Sequence, residues 1–597
     1  MNQNFYQNKI DQYSASENKL NQKITQVQVF RLITFLLLTG CFSLAMVYKD
    51  GIYFIGFLPC FIVFGWLIKR NLTLKKERRL IQELLIINKN EQEALNLNFS
   101  MFKNGEDLQE RKHDYTHDLD IFGEHYIFQC LNRTSSIHGQ EKLAYILSNF
   151  EDNTETVRNR QIINQELAEK VDFRQKILAK GNIHSSELNS NGLFSWLDKG
   201  IEGFNSSTVW LTTLWLVPLL MTIPTTLLII GMIPFSLFSL FMLIPLGITA
   251  RKLKLIQLHH KQSSDYLSLL KQHQEQALLI ESEKFSSESL INIQSLLANE
   301  SSIASEEVKK LSQIVQALDN RSNPIFALIM NVLVLWDLQY LFKLKKWINK
   351  NATLAPQWFE AVAQIEAYSS LSNFSFNNSN YVYPTITNDT PIEAREVGHP
   401  LIPVDSMVTN DFSIDSLQSF TIITGANMAG KSTFLRAVGV NLILAMAGSK
   451  VCASSFIFKP LKLYSSMRTA DSLSENESYF YAELKRLEVL IQKLKKGDQL
   501  FVILDEILKG TNSKDKAEGS KKFVDQLVKF QLAGIIATHD LSLCSLAQNH
   551  PQKISNNYFD VEIINDELVF DYKLKEGVCS NMNAAYLMKK TGIISED

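Results

Sequence analysis

Six cysteines in 597 residues, none in a C-x-x-C pair, provide neither a disulfide framework nor a zinc spacing. They are scattered (Cys41, Cys60, Cys130, Cys452, Cys544, Cys579), as expected for a reducing compartment. Net charge is almost missing as well. At −2, with a pI near 6.6, no global basic field points to nucleic acid, although local patches are left open. A signal peptide is not expected, because residues 1–30 are polar, rich in Asn, Gln and Lys, and no small-residue cleavage site follows.

Charge is absent locally from two long stretches. Leu32–Tyr48 and Gly51–Ile68 are uncharged runs separated by Lys49-Asp50, each near the roughly 20 residues that cross a bilayer. Arg31 precedes the pair, and Lys69, Arg70, Lys75, Lys76, Arg78 and Arg79 follow it, so both ends are expected on the cytoplasmic side. Thr208–Ala250 holds no charged residue, has room for two helices turning near Gly231, and is followed by Arg251, Lys252 and Lys254. Its prolines (218, 224, 234, 245) are tolerated in membrane spans. The expectation is four spans in two hairpins. A third apolar patch, Ile325–Leu341, contains Asn331, Asp337 and Gln339 and is read as a buried soluble helix.

Between these blocks, residues 105–200 read as largely helical. Phe122, Tyr126, Leu131, Leu143 and Ile146 recur at helical spacing from Asp118 to Leu147. His113 and His117 are an i, i+4 pair without the intervening Glu of a zinc protease, so a polar helix face is expected. Ser372–Pro391, rich in Asn, Ser and Thr, reads as a linker.

The chemistry concentrates in Gly425-Ala426-Asn427-Met428-Ala429-Gly430-Lys431-Ser432-Thr433, which fits the phosphate loop G-x-x-x-x-G-K-[ST]. Thr421–Thr424 before it reads as a buried strand and Phe434–Ala447 after it as a helix. The loop then lies at a helix N-terminus, where unpaired N–H groups and the positive dipole end favour phosphate. Lys431 is expected to reach the β/γ-phosphates of ATP and Ser432 to offer a hydroxyl to Mg²⁺. Leu500–Leu504 is a second apolar strand, ending in Asp505 and Glu506. Asp505 suits the Mg²⁺ shell, and Glu506 is placed to orient and deprotonate the attacking water. A third strand, Gly534–Ala537, ends in Thr538-His539, with His539 positioned to sense or stabilise the γ-phosphoryl charge.

This order of motifs, with Asn427-Met428 inside the loop, resembles the MutS family of DNA mismatch-repair ATPases, a branch of the ABC class. Ala426 and Ala429 replace Pro and Gly of the family loop G-P-N-M-G-G-K-S-T. Ser478-Tyr-Phe480-Tyr-Ala-Glu483 is similar to its S-T-F-x-x-E signature, and Asp505–Asn512 to D-E-I-G-R-G-T-S. Leu131-Asn-Arg-Thr134 and Gly139 are similar to the L-[ND]-R-T-x-T-x-x-G of its core-lever domain, and Gly398-His399-Pro400 and Met407–Asn410 to the segments before its ATPase. The resemblance covers roughly residues 110–200 and 255–590.

The resemblance implies an α/β ABC-type P-loop ATPase domain plus an all-α core/lever domain, here carrying two transmembrane helical hairpins. It implies a homodimer with composite sites, in which Ser478, Phe480 and Glu483 face ATP across the interface and Asp515 stands at the subunit boundary. Met407 and Tyr572 stand where adenine contacts are expected. Membrane hairpins occupy the N-terminus, where the family has its mismatch-reading domain with a Phe-x-Glu wedge, so that domain is not expected. The expected layout is a polar segment 1–30, hairpin 31–69, helical connector 70–104, lever 105–207, hairpin 208–250, lever 251–372, linker 373–391 and ATPase 392–597. The expected function is ATP-dependent DNA binding related to mismatch repair, from an integral protein of the inner or cytoplasmic membrane with its ATPase in the cytoplasm. The alternative is a membrane scaffold or remodelling protein driven by the same engine. DNA, the lipid bilayer and an unidentified protein are the expected partners.

Overall fold

The structure is a computed structural model that describes residues 2–48, 52–110, 112–150, 152–185, 188, 190–201, 208–299, 302–426, 428–468, 479–509, 512–564 and 567–579. Its helices are α1 (Asn2–Tyr48), α2 (Ile52–Ala94), α3 (Ile127–Leu131), α4 (Ile137–Ser148), α5 (Thr154–Glu169), α6 (Val171–Ile183), α7 (Ser190–Lys199), α8 (Thr208–Ile229), α9 (Phe235–Ala250), α10 (Leu253–Asp265), α11 (Leu267–Ser282), α12 (Glu288–Ser295), α13 (Ala304–Asp319), α14 (Pro324–Val334), α15 (Trp336–Asn351), α16 (Ala355–Asn377), α17 (Lys431–Met446), α18 (Tyr479–Lys495), α19 (Ser513–Leu527) and α20 (Leu546–Asn549). Its strands are β1 (Ala298–Asn299), β2 (Ser302–Ile303), β3 (Thr385–Ile386), β4 (Ile392–Val397), β5 (Asn410–Ile414), β6 (Ser419–Gly425), β7 (Ser455–Phe458), β8 (Lys462–Ser466), β9 (Leu500–Asp505), β10 (Leu532–Ala537), β11 (Ile554–Phe559), β12 (Glu562–Ile564), β13 (Glu567–Val569) and β14 (Leu574–Glu576). Two compact units result: 1–93 with 134–139 and 172–366, and 94–133 with 140–171 and 367–597.

The first unit is helical. α1 and α2 run antiparallel, and neither breaks where its composition changes from polar to apolar. In the polar halves Arg78 reaches Asn21 (3.2 Å) and Gln82 reaches Glu17 (2.7 Å), while Lys9 pairs with Asp172 at 2.7 Å. Residues 2–30 and 70–94, expected as parts of separate segments, therefore continue the hairpin's two helices, and Tyr6, Ile10 and Ile24 are buried there. The apolar halves present their side chains outward, Phe30, Leu36 and Trp66 each being about 60% exposed.

α8 and α9 form the second hairpin, turning through Gly231 at φ +80°. α8 runs through Pro218 and Pro224, and hydroxyls of Thr222, Thr225 and Thr226 donate back to the carbonyls of Leu219, Met221 and Thr222, all at 2.7 Å. α9 has 16 residues and bends by 61° into α10; at 1.5 Å per residue it is about 24 Å long, short of a hydrocarbon core of about 30 Å.

The reading of Ile325–Leu341 as one buried helix is corrected. Leu335, at φ +51°, breaks it into α14 and α15, bent by 79°. α14 packs Val332 against Met221 and Phe238 of the second hairpin but leaves Ile325 72% exposed and Leu328 and Ile329 about half exposed. The polar residues gather at the break: Asp337 N donates to Asn331 (3.0 Å), and Arg321 lies 3.6 Å from the buried Asp337 carboxyl.

The second unit is built on a six-stranded sheet ordered β14-β11-β6-β10-β9-β8, parallel from β11 to β8 with β14 antiparallel at the edge. β6, β9 and β10 are apolar runs because each is buried on both faces. A four-stranded sheet, β3-β7-β4-β5, includes residues from the expected linker: α16 continues to Asn377 and β3 pairs with β7.

Residues 112–126 are not helical as expected. Side chains there capture the amides that a helix would need. His113 Nδ1 accepts from Tyr115 and Thr116 N–H, both at 3.3 Å, so His113 and His117 do not share a helix face. Asp118, 1% exposed, accepts from Ser465 Oγ (2.7 Å), Met467 N (3.2 Å), Arg468 N (3.0 Å) and Arg486 (3.0 Å). Asp120 takes Arg468 at 2.6 Å and Arg436 of α17 at 3.0 Å. Two carboxylates thus tie the end of β8 to α17 and α18. Asp118→Ala strands buried donors and should cost about 3 kcal/mol. Hydrogen exchange should speed up at β8 and α18, and unchanged protection there would rule out the clamp.

Candidate functional site

The carboxyl ends of β6, β9 and β10 lie on one edge of the sheet, where open α/β sheets bind their ligands. The loop after β6 must turn sharply and pass close to β11. Gly425 sits at φ +146°, where a Cβ would lie 2.6 Å from the Phe559 carbonyl. Gly430, at φ +101°, gives the loop its last turn beneath Tyr572 and caps α17. Between them Ala429 is buried and Met428, at φ +68°, is 79% exposed. Asn427 lies outside the described residues.

Lys431 is 6% exposed, and its Nζ donates to the carbonyls of Gly425 and Ala426, both at 2.8 Å. Burial lowers its pKa, opposed by the charges of Asp505 and Glu506. Ser432 Oγ donates to Asp505 Oδ2 at 2.8 Å, so the hydroxyl and carboxylate proposed to share a metal are already adjacent. His539 Nε2 lies 3.1 Å from Glu506 Oε1. Burial and Lys431 lower the His539 pKa, against the charges of Glu506 and Asp505. Lys431, Ser432, Thr433, Asp505, Glu506 and His539 all line one cavity of about 590 Å³. Met428, Ala426, Gly430 and Tyr572 line it too.

Other expected contacts fall elsewhere. Met407 does not line the cavity: its thioether lies 3.6 Å from Cys452 Sγ and against Gly398. Ser406 and Val408, its neighbours, line the wall with His399, Phe434 and Phe559. Desolvation lowers His399 to a pKa of about 4. Asn410 fixes Tyr572 by donating to its carbonyl (3.0 Å) and accepting from Leu574 N (2.8 Å). The Gly398-His399-Pro400 and Met407–Asn410 segments held the signal for this wall, but not which side chains would face inward.

Of the signature, Ser478 lies outside the described residues. Phe480 packs on the sheet's own core. Glu483, 4% exposed, accepts from Leu508 N and Lys509 N of the same unit. Asp515 is exposed and forms a capping pair with Asn512, each accepting from the other (2.9 and 2.6 Å) at the start of α19.

Residues 421–594 match the family model described as MutS domain V. "DNA mismatch repair protein MutS" of Thermotoga maritima is 28% identical over 249 residues, 41% of this chain and 31% of that protein. The protein of the same name in Methanococcoides burtonii is 30% identical over 240 residues (39% and 27%), and human "MutS protein homolog 4" 27% over 215 (34% and 22%). The chain thus covers less than a third of the length of each of these relatives. The phosphate loop, the Asp505-Glu506 strand end and His539 all fall in the part of the chain that is similar to MutS proteins.

Proposed function

We propose that the chain is a membrane-anchored, dimeric ATPase of the MutS kind, in which ATP binding closes the dimer, hydrolysis reopens it, and the helical unit carries the movement to DNA. The observation that carries hydrolysis is the convergence of Lys431, Ser432, Asp505, Glu506 and His539 on one cavity. The residues fit Mg²⁺, since Ser432 Oγ and Asp505 Oδ2 are two hard oxygen donors 2.8 Å apart. Bound between them, Mg²⁺ would supply charge neutralisation at the phosphate oxygens. Lys431 exchanges its two loop carbonyls for phosphate oxygens. Glu506, held by His539 at 3.1 Å, takes a proton from the water that attacks the γ-phosphorus, and ADP leaves as the bond to it breaks. The composite arrangement across a dimer, with Ser478 and Asp515 of each subunit near the other's ATP, belongs to this proposal. DNA is proposed as partner from the names of the relatives.

A second reading is an ATP-driven membrane scaffold or remodelling protein; the outward apolar faces of the two hairpins and α14 support the membrane placement common to both. Among the described residues three helices, Asn2–Tyr48, Gly56–Ala94 and Thr212–Ile229, are long and apolar enough to cross a membrane, or up to five if each of two bent helix pairs is one span. On either reading the hairpins sit in the cytoplasmic membrane, and the exposed Ile325 face of α14 rests in the same apolar layer.

Glu506→Gln should keep ATP affinity and lose turnover by about 10²- to 10⁴-fold; single-turnover hydrolysis at the wild-type rate would exclude Glu506 as the base. Alkaline extraction should leave the protein in the membrane pellet, and a spin label at Ile325 should be relaxed more by oxygen than by an aqueous nickel complex. Release of the protein, or the opposite accessibility, counts against the anchor. ATPase rate in nanodiscs, measured with homoduplex, mismatched and branched DNA across salt, separates the two readings. Salt-sensitive stimulation by one DNA form supports the first, and dependence on lipid alone supports the second.

A further inference from the structure

Glu483 is a buried carboxylate that does not line the nucleotide cavity. It lies on α18 and spends both oxygens on the backbone just past Glu506: Oε1 accepts from Leu508 N at 2.5 Å and Oε2 from Lys509 N at 2.9 Å. The turn it holds is unusual. Glu506 and Leu508 have φ of +52° and +60°, in the left-handed region and without glycine at either position. Each such residue costs roughly 1–2 kcal/mol, and persists only where its surroundings over-determine it. Glu506 N donates to Ala537 O at 2.8 Å, Ile507 and Leu508 are buried, and Gly519 leaves room for the Leu508 side chain. These contacts hold the start and the apolar side of the turn, and Glu483 holds the amides of Leu508 and Lys509.

α18 is itself fixed one turn further on. Arg486 donates to Asp118 at 3.0 Å and to the Ser465 carbonyl at 2.8 Å, so the reach of Glu483 is set by a helix that cannot slide freely.

We propose that Glu483 is a positioning residue for hydrolysis, holding the 506–509 turn so that the Glu506 carboxylate stays on His539 and faces the cavity. The proposal rests on the reading of Glu506 as the base. It makes the position of α18 a control on the chemical step: a shift of that helix loosens the turn and slows turnover without touching the residues that bind phosphate. Asp in place of Glu483 is one methylene short and restores part of the hold. Gln opposes one backbone N–H with its own NH₂ group, so it loses the hold although its size is kept.

The test is a kinetic cycle on the full-length protein with E483A, E483Q, E483D, E506Q and E483A/E506Q, reading kcat, KM and the affinity of a fluorescent ATP analogue. E483A and E483Q should lower kcat by about 10²-fold, the cost of misplacing a catalytic group by about 1 Å, with nucleotide affinity retained and E483D intermediate. Added to E506Q, E483A should cost nothing further, because the group it positions is gone. Wild-type kcat in E483Q, multiplicative losses in the double variant, or loss of affinity in step with kcat would each overturn the proposal. If E483A does not accumulate as folded protein, E483Q and E483D decide by the same criteria. If wild type hydrolyses ATP and E506Q hydrolyses it equally well, the base assignment fails and takes Glu483 with it. If E506Q is inactive and the Glu483 variants are normal, only the Glu483 proposal fails.

Discussion

The nucleotide unit depends on one close approach of backbone to backbone. At Gly425 the phosphate loop leaves β6 directly against the carbonyl of Phe559 on β11, where a single added carbon would sit 2.6 Å away. From that point the loop can curl back so that Lys431 lies at the head of α17 with its amine among carbonyls. Since β10 separates β6 from β9, the Ser432–Asp505 bond links the helix that follows β6 to a strand two places away in the sheet. Loop, strand end and His539 share one cavity because the sheet is parallel from β11 to β8 and ends its strands on one side.

The site was legible where chemistry demands a fixed residue in a fixed backbone setting. A glycine pair followed by a lysine, and an apolar strand ending in two carboxylates, have few other uses, and Gly430, Lys431, Ser432, Asp505, Glu506 and His539 line the cavity together. The base-side wall was less legible. Between Ser406, Met407 and Val408, which side chain faces the cavity depends on the local twist of the chain before β5, and the sulfur of Met407 finds Cys452 instead. The signature segment shows a further role. Glu483 and Phe480 match a motif that the resemblance associates with a partner's nucleotide, and within their own unit one captures amides and the other packs on the core.

Helical periodicity was right about amount and wrong about place. Phe122 is buried, as its spacing required, but on a chain that turns under the control of His113, Asp118 and Asp120. Composition likewise suggested boundaries that the backbone ignores. A polar run before an apolar one looks like a tail before a span, yet α1 passes from one to the other without a change of pitch. Leu335, by contrast, interrupts an apolar run that composition alone would have left whole, and Asn331 accepts from the Asp337 amide that the break frees.

The continuity of α1 has a mechanical consequence. Its 47 residues form a rod of roughly 70 Å at 1.5 Å per residue, more than twice the thickness of a hydrocarbon core of about 30 Å. With no hinge at the change of composition, the rod cannot tilt at its apolar end without swinging its polar end through a matching arc, and Lys9, near that far end, is tied to Asp172. Paired side by side with α2, it is stiffer still. Stress on the apolar surface is therefore delivered as displacement tens of ångströms away.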